Sequence, residues 1–567
     1  MNRLLTERRA GRLRKASYVM VRNIARLRVH LRRARRKISA LAHGLGPAGV
    51  WVFAVIIGAA SAYGVIGFLM AIDAVAALSF GASEKTLISG AQALAPGRAW
   101  AAPVMGGLAV AVLLFLAKHF GWIDEPRNSG VADVIEARAV KSGRISLRSG
   151  IVSAIISAIA LGSGASAGRE GPAVHLGATI ASILDRRFGF SAKDRRTLLG
   201  CGAAAAVSAS FNAPVAGVLF ALEVILGNYA LSVFGPIAAA SATAAIITRI
   251  HLGDFPAFVA PHYSAAGPID VPLSAILGVI CGFVATAFII GADRTTRVVR
   301  GFAEKQGLPI YILPPLAGVI VGLIGVFRPE IFGVGYEAVT RSLAGAYSLK
   351  LLVLLLALKM VATIITVACR FGVGVFSPGL VIGVFAGAAY GGALALIFPD
   401  ATASPAYYAM VGMGAASGAI LGAPISTTLI AFELTGEYGI TLSLMVAVAI
   451  ATFITQSISR RTYFQLQLSR RGYDLSEGPQ GVILQTIRVR DVMDKMPPGA
   501  PLEENASRLE AQQSLGEALA RLEDLGEDGL PVVGMEDKTK IVGYLSRIKA
   551  LASYNRALIE SHVEHHR

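Results

Sequence analysis

Long apolar segments recur along this chain and restrict it to one structural class. Almost uncharged stretches lie at Val50–Phe68, Val104–Ala117, Leu273–Ile290, Leu351–Val367 and Ile440–Ile454. A helix of about 20 apolar residues is long enough to cross the hydrocarbon core of a bilayer. Charged residues make up only 16% of the chain, against roughly 25% in an ordinary soluble domain. The pattern predicts an all-α polytopic membrane protein rather than a large soluble all-α protein.

The chain divides into four regions by composition. Residues 1–46 form a basic arm, 47–470 a membrane unit, 471–486 a linker and 487–567 a soluble tail. The arm contains fourteen Lys or Arg residues and a single acidic residue, Glu7, within positions 1–43. Basic residues beside a first apolar segment favour the cytoplasmic side and anionic lipids. We therefore predict a cytoplasmic arm that contacts lipid, and no nucleic-acid partner.

The tail has the pattern of a small α/β module. An amphipathic helix is predicted at Ser514–Leu525, followed by strands at Leu530–Val533 and Ile541–Leu545 and then a second helix. The tail is expected on the cytoplasmic side, like the arm. The number of membrane crossings is then even.

The membrane unit repeats itself. A run of Gly and Ala leads to Ala-Pro and then to a glutamate nine residues after the proline, once at Pro214 and Glu223 and again at Pro424 and Glu433. Upstream of these copies lie "GREGP" and "GVFSP", which end at Pro172 and Pro378. Two matched elements in the same order indicate two related halves, a pattern typical of transporters with a substrate site between the halves. The sequence leaves open whether the halves are inverted or parallel.

The glycine-rich turns of this repeat are suited to anions. Proline is favoured in the first turn of a helix, where its missing N–H removes no hydrogen bond. Pro172 and Pro378 therefore predict helices that begin at these turns and present backbone N–H groups to an anion. The stretch "RNSGVAD" follows the same pattern and adds the hydroxyl of Ser129.

Glu170 places a carboxylate in this setting, where charge is costly and usually functional. It would compete with an anion for the N–H groups and move away when protonated, which predicts a protonatable gate. The alternative is a structural ion pair with a buried arginine.

The joint occurrence of four motifs resembles the CLC family of chloride channels and chloride/proton antiporters. These motifs are "GREGP", "NAPVAGVLFALE", "GVFSPG" and "GAPISTTLIAFELTGEY", and the resemblance covers about residues 50–470. It implies an inverted-repeat fold of about eighteen helices, a homodimer with one anion pathway per subunit, and a bacterial-type inner or plasma membrane location. The tail resembles one CBS motif, with "VRDVM" and "GLPVV". This leaves an adenine nucleotide as a candidate ligand there, with no other cofactor implied.

The resemblance also assigns roles to single residues. It makes Glu170 the external gate, and it places the anion-binding groups at Ser129, Arg169, Gly171, Val375, Phe376 and Tyr463. A serine at position 129 resembles the chloride-preferring members, although "NSGVA" departs from the family's Gly-Ser-Gly-Ile-Pro. The match at Tyr463, in "SRRTYFQLQL", is weaker. The resemblance implies no metal site and no catalytic residue.

One departure leaves the transport mode open. Antiporters of the family usually carry an inner proton-transfer glutamate at the position occupied here by Val224, and Glu223 precedes it. Valine cannot carry a proton, so the chain is either a channel or an antiporter whose proton path runs from Glu170 through Glu223 or water. A nucleotide-sensing membrane protein that signals through its tail is the alternative from another class. No Ser/His/Asp, Walker-type or metal-ligand pattern points to an enzyme.

Overall fold

The computed structural model describes most of the membrane unit and much of the tail. The described residues are 47–127, 129–140, 143–253, 267–372, 374–398, 403–435, 438–473, 484, 487–495, 507–534 and 541–566. The predicted basic arm at residues 1–46 and most of the predicted linker lie outside them.

The described part of the membrane unit is predominantly helical, as the apolar segments predict. Its eighteen α-helices within the described residues are α1 Pro47–Phe80, α2 Leu87–Ala93, α3 Pro96–His119, α4 Val131–Ala139, α5 Leu147–Gly162, α6 Glu170–Phe188, α7 Ala192–Phe211, α8 Pro214–Phe220, α9 Leu231–Leu252, α10 Asp270–Lys305, α11 Leu313–Phe327, α12 Tyr336–Leu343, α13 Leu349–Ala368, α14 Phe376–Ile397, α15 Pro405–Leu421, α16 Pro424–Thr435, α17 Thr441–Ser459 and α18 Tyr463–Ser469. A π-helical turn, Ala221–Leu226, extends α8. Eight helical segments in the described part of the chain are long and apolar enough to cross a membrane.

Close contacts between glycines bring the helices of each half together. A methyl group added to Gly177 of α6 would lie 2.2 Å from the carbonyl oxygen of Gly202 in α7. In the second half, a methyl group on Gly383 of α14 would lie 2.2 Å from the carbonyl oxygen of Gly412 in α15. Small residues allow helix backbones to approach closely inside a membrane, where apolar side chains gain little from leaving lipid. The pairs α6–α7 and α14–α15 are therefore built in the same way.

The tail forms a separate α/β layer with its own apolar core. The strands among its described residues are β1 Asp494–Lys495, β2 Leu509–Glu510, β3 Gly529–Val533 and β4 Ile541–Ser546, in the sheet order β1-β4-β3-β2. The described part of the tail also has the helices α19 Val489–Val492, α20 Leu515–Asp524 and α21 Arg547–His566. Ser514 caps α20, with Glu517 completing a reciprocal capping box. The predicted α/β module is confirmed, with its helix and both predicted strands within a residue or two of their expected bounds.

Candidate functional site

Three glycine-rich turns meet at one place inside the membrane unit. The backbone N–H of Gly168 donates to the carbonyl oxygen of Gly374 across 2.8 Å. A methyl group added to Gly171 would lie 3.5 Å from the Cα of Gly374 and 3.8 Å from the Cα of Gly130. These glycines precede or open α4, α6 and α14. The structure thus brings together the three turns that the sequence singles out.

Helix N-termini dominate the chemistry of this place. Helix α6 begins at Glu170 and α14 begins at Phe376, so Pro172 and Pro378 each occupy the third position of a first turn. The first N–H groups of a helix lack acceptors within that helix. Together with the positive end of the helix dipole they make a site for negative charge. Three such helix ends together can bind an anion without a fully charged side chain in contact with it.

The carboxylate of Glu170 occupies this environment. Its Oε2 accepts a hydrogen bond from the backbone N–H of Ser377 at 3.3 Å, and its Oε1 accepts one from the Ser377 hydroxyl. Only 1% of the Glu170 side chain is exposed. A side chain from the first half therefore binds the N-terminus of α14 in the second half.

Arg169, predicted to bind the anion, contacts other groups. One guanidinium nitrogen forms an ion pair with Glu84 at 2.5 Å. Another donates to the carbonyl oxygen of Ser210 at 2.9 Å and to the hydroxyl of Tyr336 at 3.0 Å, and the guanidinium carbon lies 4.6 Å from the centre of the Tyr336 ring. The Nε atom of Arg169 is 3.9 Å from Oε1 of Glu170. Arg169 is therefore a neighbour of the Glu170 carboxylate, and its own guanidinium is held mainly by Glu84 and Tyr336.

Ser129 lies in the third turn and is braced through its backbone. Its N–H donates to the hydroxyl oxygen of Ser153 at 3.0 Å, and that hydroxyl donates back to the Ser129 carbonyl oxygen at 3.0 Å. Gly130 donates its N–H to the carboxylate of Asp133 at 2.8 Å. These bonds fix the turn through the backbone atoms of Ser129 and Gly130. The Ser129 hydroxyl takes no part in them.

The remaining predicted anion-binding residues are buried but differ in their contacts. Val375 and Phe376 are 2% and 1% exposed at the start of α14. The Phe376 ring packs against Phe211, with 5.1 Å between ring centres. The hydroxyl oxygen of Tyr463 accepts a hydrogen bond from Gln467 at 3.0 Å. Helix α18, which begins at Tyr463, packs against α4. No hydrogen bond joins Tyr463 to the three turns within the described residues.

Charged residues cluster next to the Ser129 turn. Arg127 and Arg471 contact the Asp133 carboxylate at 2.6 and 3.1 Å, and Arg471 also reaches Glu136 at 2.8 Å. Burial acts to raise the pKa of Asp133, but the guanidinium groups of Arg471 and Arg127 outweigh it and hold that pKa below its ordinary value. The cluster joins the N-terminus of α4 to the residues that follow α18.

Glu223, the candidate proton-path residue, is held at the N-terminus of α16. Its carboxylate accepts hydrogen bonds from the N–H groups of Ile425 and Ser426 at 3.1 and 2.8 Å. The matching Glu433 accepts from Val215 and Ala216 at the N-terminus of α8, at 3.0 and 2.7 Å. Each glutamate therefore caps the corresponding helix of the other half, and α8 and α16 run antiparallel.

Sequence reasoning missed three residues of this site. Ser377 stands within "GVFSP", yet its two donated bonds depend on where Glu170 lies. Glu84 comes from a short polar stretch between α1 and α2 that carries no recognisable spacing. Lys359 could have been found, because it is a lone charge within an apolar segment, where charge is costly and usually functional. Its ammonium donates to the carbonyl oxygens of Ile331 and Gly333 at 3.0 and 2.9 Å, in the loop that leads to Tyr336.

The comparison with protein families agrees with this architecture. The model of the voltage gated chloride channel family matches residues 106–456, more than half of the chain. A ClcB-like chloride channel protein of Ralstonia nicotianae is 34% identical over 371 residues, which cover 64% of this chain and 84% of that protein. The voltage-gated ClC-type chloride channel ClcB of Escherichia coli is 29% identical, over 73% of this chain and 97% of that protein.

The fold is shared with solved structures of low identity. A slow cyanobacterial Cl−/H+ antiporter superposes with a TM-score of 0.65 at 23% identity, over 74% of this chain and 97% of that chain. A eukaryotic CLC transporter gives a TM-score of 0.62 at 17% identity, over 88% of this chain and 97% of that chain. The chain belongs to the CLC family of chloride channels and transporters, which are integral membrane proteins and not enzymes. These comparisons do not extend to the tail as a CBS motif, so that assignment stays a prediction.

Proposed function

We propose that the chain conducts chloride across the membrane past the three converging turns, with Glu170 as a protonatable gate. The proposal rests on one observation: the N–H and the hydroxyl of Ser377, at the N-terminus of α14, donate hydrogen bonds to the Glu170 carboxylate. An oxygen anion held by helix N–H groups stands where a halide would find the same donors. The donors hold Glu170 through its negative charge. Protonation removes that charge and so favours movement of the side chain out of the site.

The anion-binding groups follow from the same geometry. The backbone at Gly171, Val375 and Phe376 would supply N–H donors, and Ser129 and Tyr463 would supply hydroxyl donors. Accepting a bond from Gln467 uses a lone pair of the Tyr463 oxygen and leaves its hydrogen free to donate. Arg169 would act through its field rather than by contact, since its guanidinium is engaged by Glu84 and Tyr336.

The antiparallel contact between α8 and α16 supports an inverted repeat. These two helices occupy equivalent places in the two halves, and each is capped by the glutamate at the end of the other. A two-fold axis perpendicular to both helices exchanges them, which reverses the direction of one half. A homodimer with one pathway per subunit remains a prediction from the family.

For the transport mode we propose a channel or a weakly coupled exchanger. Val224 offers no proton donor or acceptor. The Glu223 carboxylate accepts two backbone hydrogen bonds that a proton would disturb. Both features argue against a stoichiometric inner proton path through this turn.

Proteoliposomes with simultaneous chloride and proton recording test the proposal. The wild type is expected to release chloride with external-pH dependence and with few protons per chloride. Glu170→Gln should retain chloride flux and lose the dependence on external pH. Glu304→Gln, a change in an exposed ion pair with Arg300, is the control and should keep the wild-type profile.

Two results would contradict parts of the proposal. A Glu170→Gln protein with unchanged pH dependence removes the gate assignment. Uphill proton movement driven by a chloride gradient in the wild type removes the channel assignment, and Glu223 or a water path must then carry protons.

A further inference from the structure

We infer that Glu84 is the permanent counterion of Arg169, and that it sets the external pH at which Glu170 opens the pathway. This inference rests on the proposed gate role of Glu170. It concerns a residue outside the repeated motifs, in a short turn between α1 and α2. Glu84 is a positioning residue that acts through Arg169.

The two carboxylates near Arg169 are not equivalent. The Oε2 atom of Glu84 lies 2.5 Å from a guanidinium nitrogen, whereas Oε1 of Glu170 lies 3.9 Å from Nε. The side chains of Arg169 and Glu84 are 7% and 6% exposed. Glu84 therefore forms the direct ion pair, and Glu170 makes only a longer-range approach.

Charge balance explains why this arrangement suits a gate. A buried cation is strongly destabilised when its partner is removed. If Glu170 were the sole counterion, its departure would leave Arg169 unpaired, and the gate would be held shut. With Glu84 in place, Glu170 can leave while Arg169 remains paired. The ion pair that sequence reasoning offered as the alternative role for Glu170 is thus formed by Glu84.

Unused hydrogen-bonding capacity points the same way. Oε1 of Glu84 and Nε of Arg169 are buried and form no hydrogen bond within the described residues. A guanidinium can bind a carboxylate through two parallel bonds. The pair therefore has a donor and an acceptor in reserve for a tighter arrangement once Glu170 has moved.

None of the neighbouring polar or charged side chains named below replaces Glu84 as the counterion of Arg169. Asp73 accepts the backbone N–H of Glu84 at 2.9 Å. Glu337, on the neighbouring α12, pairs with Arg341 at 2.6 Å and accepts the N–H of Ile88. Tyr336 accepts from Arg169, and Lys85 is exposed. Glu84 is thus the carboxylate in direct contact with Arg169 among the described residues.

The test is chloride flux against external pH for Glu84→Gln in proteoliposomes. Without Glu84, Glu170 becomes the principal counterion of Arg169 and keeps its negative charge to lower pH. The pH of half-maximal flux should fall by about one unit or more, the size of effect that a neighbouring arginine has on the titration of a carboxylate. Glu84→Asp retains the charge and should restore much of the wild-type profile.

Controls separate this effect from damage to the fold. Glu337→Gln removes a nearby carboxylate that does not contact Arg169, and it should leave the half-maximal pH unchanged. In a Glu170→Gln background, Glu84→Gln should add no further shift.

The inference is overturned by an unshifted or alkaline-shifted Glu84→Gln profile, or by a shift that persists without Glu170. If Glu170→Gln itself keeps the wild-type pH dependence, the proposed gate fails too. A flat Glu170→Gln profile with an unshifted Glu84→Gln profile refutes the role of Glu84 alone.

Discussion

Gly168 and Gly374 are joined by a backbone hydrogen bond of 2.8 Å that links the turn before α6 to the turn before α14. The bond belongs to an antiparallel bridge between the two glycines. It joins the two halves of the repeat beside Glu170. Neither residue has a side chain, and the contact depends on that absence.

Gly374→Ala is expected to abolish most chloride flux. The added methyl group would lie 2.0 Å from the carbonyl oxygen of Gly168, so the two turns must separate. Overpacking of this kind destabilises a protein by about 1–3 kcal/mol. Gly379→Ala in the same helix is the matched control, because its methyl group would meet Ile420 and Ser417 at an ordinary 3.5 Å. Flux assays and thermal unfolding in detergent measure both effects, and a fully active Gly374→Ala protein would contradict the proposed contact.

Ser129→Pro should move the anion preference from chloride towards nitrate. Proline removes the hydroxyl donor, and it also removes the N–H that Ser129 gives to Ser153. Ser153→Ala separates these effects, since it loosens the turn and keeps the Ser129 hydroxyl. We expect Ser153→Ala to lower flux or stability without changing the order of anions. Anion-replacement fluxes that keep the wild-type order in Ser129→Pro would show that this hydroxyl does not bind the anion.

Glu223→Ala and Glu433→Ala should both destabilise the protein, and Glu223→Ala more so because its carboxylate also accepts the Ser426 hydroxyl. Each carboxylate accepts two N–H groups from the opposite half, and a hydrogen bond to a charged group contributes about 1.5–3 kcal/mol. The ratio of protons to chloride should be the same in both variants as in the wild type. Loss of proton movement in Glu223→Ala alone would instead make Glu223 a proton relay.

Arg471→Gln should weaken chloride binding several-fold by loosening the turn that carries Ser129. The guanidinium contacts Asp133 and Glu136, and Asp133 in turn accepts the N–H of Gly130. Isothermal titration with chloride measures the change. Arg470→Gln is the neighbouring control, because Arg470 pairs with Asp293 in α10 and leaves the turn intact. Equal chloride affinities in the two variants would rule out this role for Arg471.

The same cluster is expected to be insensitive to mild acid. The pKa of Asp133 lies below its ordinary value of 3.8 in the folded protein. The ion pairs therefore stabilise the fold above that value and are lost only as the pH falls through the lower, folded pKa. Titration of Asp133 thus makes no contribution to pH dependence near neutrality, which we assign to Glu170.

The sequence by itself determined the class of protein and the parts of the site that local rules govern. Apolar length predicted the membrane helices, and proline with glycine predicted the helix starts near Pro172 and Pro378, where the structure has them. These features were predictable because helix length and helix termini depend on neighbouring residues. The equal spacing of Pro214 from Glu223 and of Pro424 from Glu433 is visible in the sequence, and it predicted two related halves.

The tertiary structure decided how the halves face each other and which charges are paired. Glu223 and Glu433 have the same spacing from their prolines whether the halves are parallel or inverted, and only the exchange of caps distinguishes the two. Arg169 has Glu170 as its neighbour in sequence, yet it pairs with Glu84, 85 residues away. Such pairings depend on helix packing across the whole membrane unit, where a buried charge takes the partner that the fold brings nearest. The residues next to Arg169 in the sequence therefore do not reveal that Glu84 lies beside it in the fold.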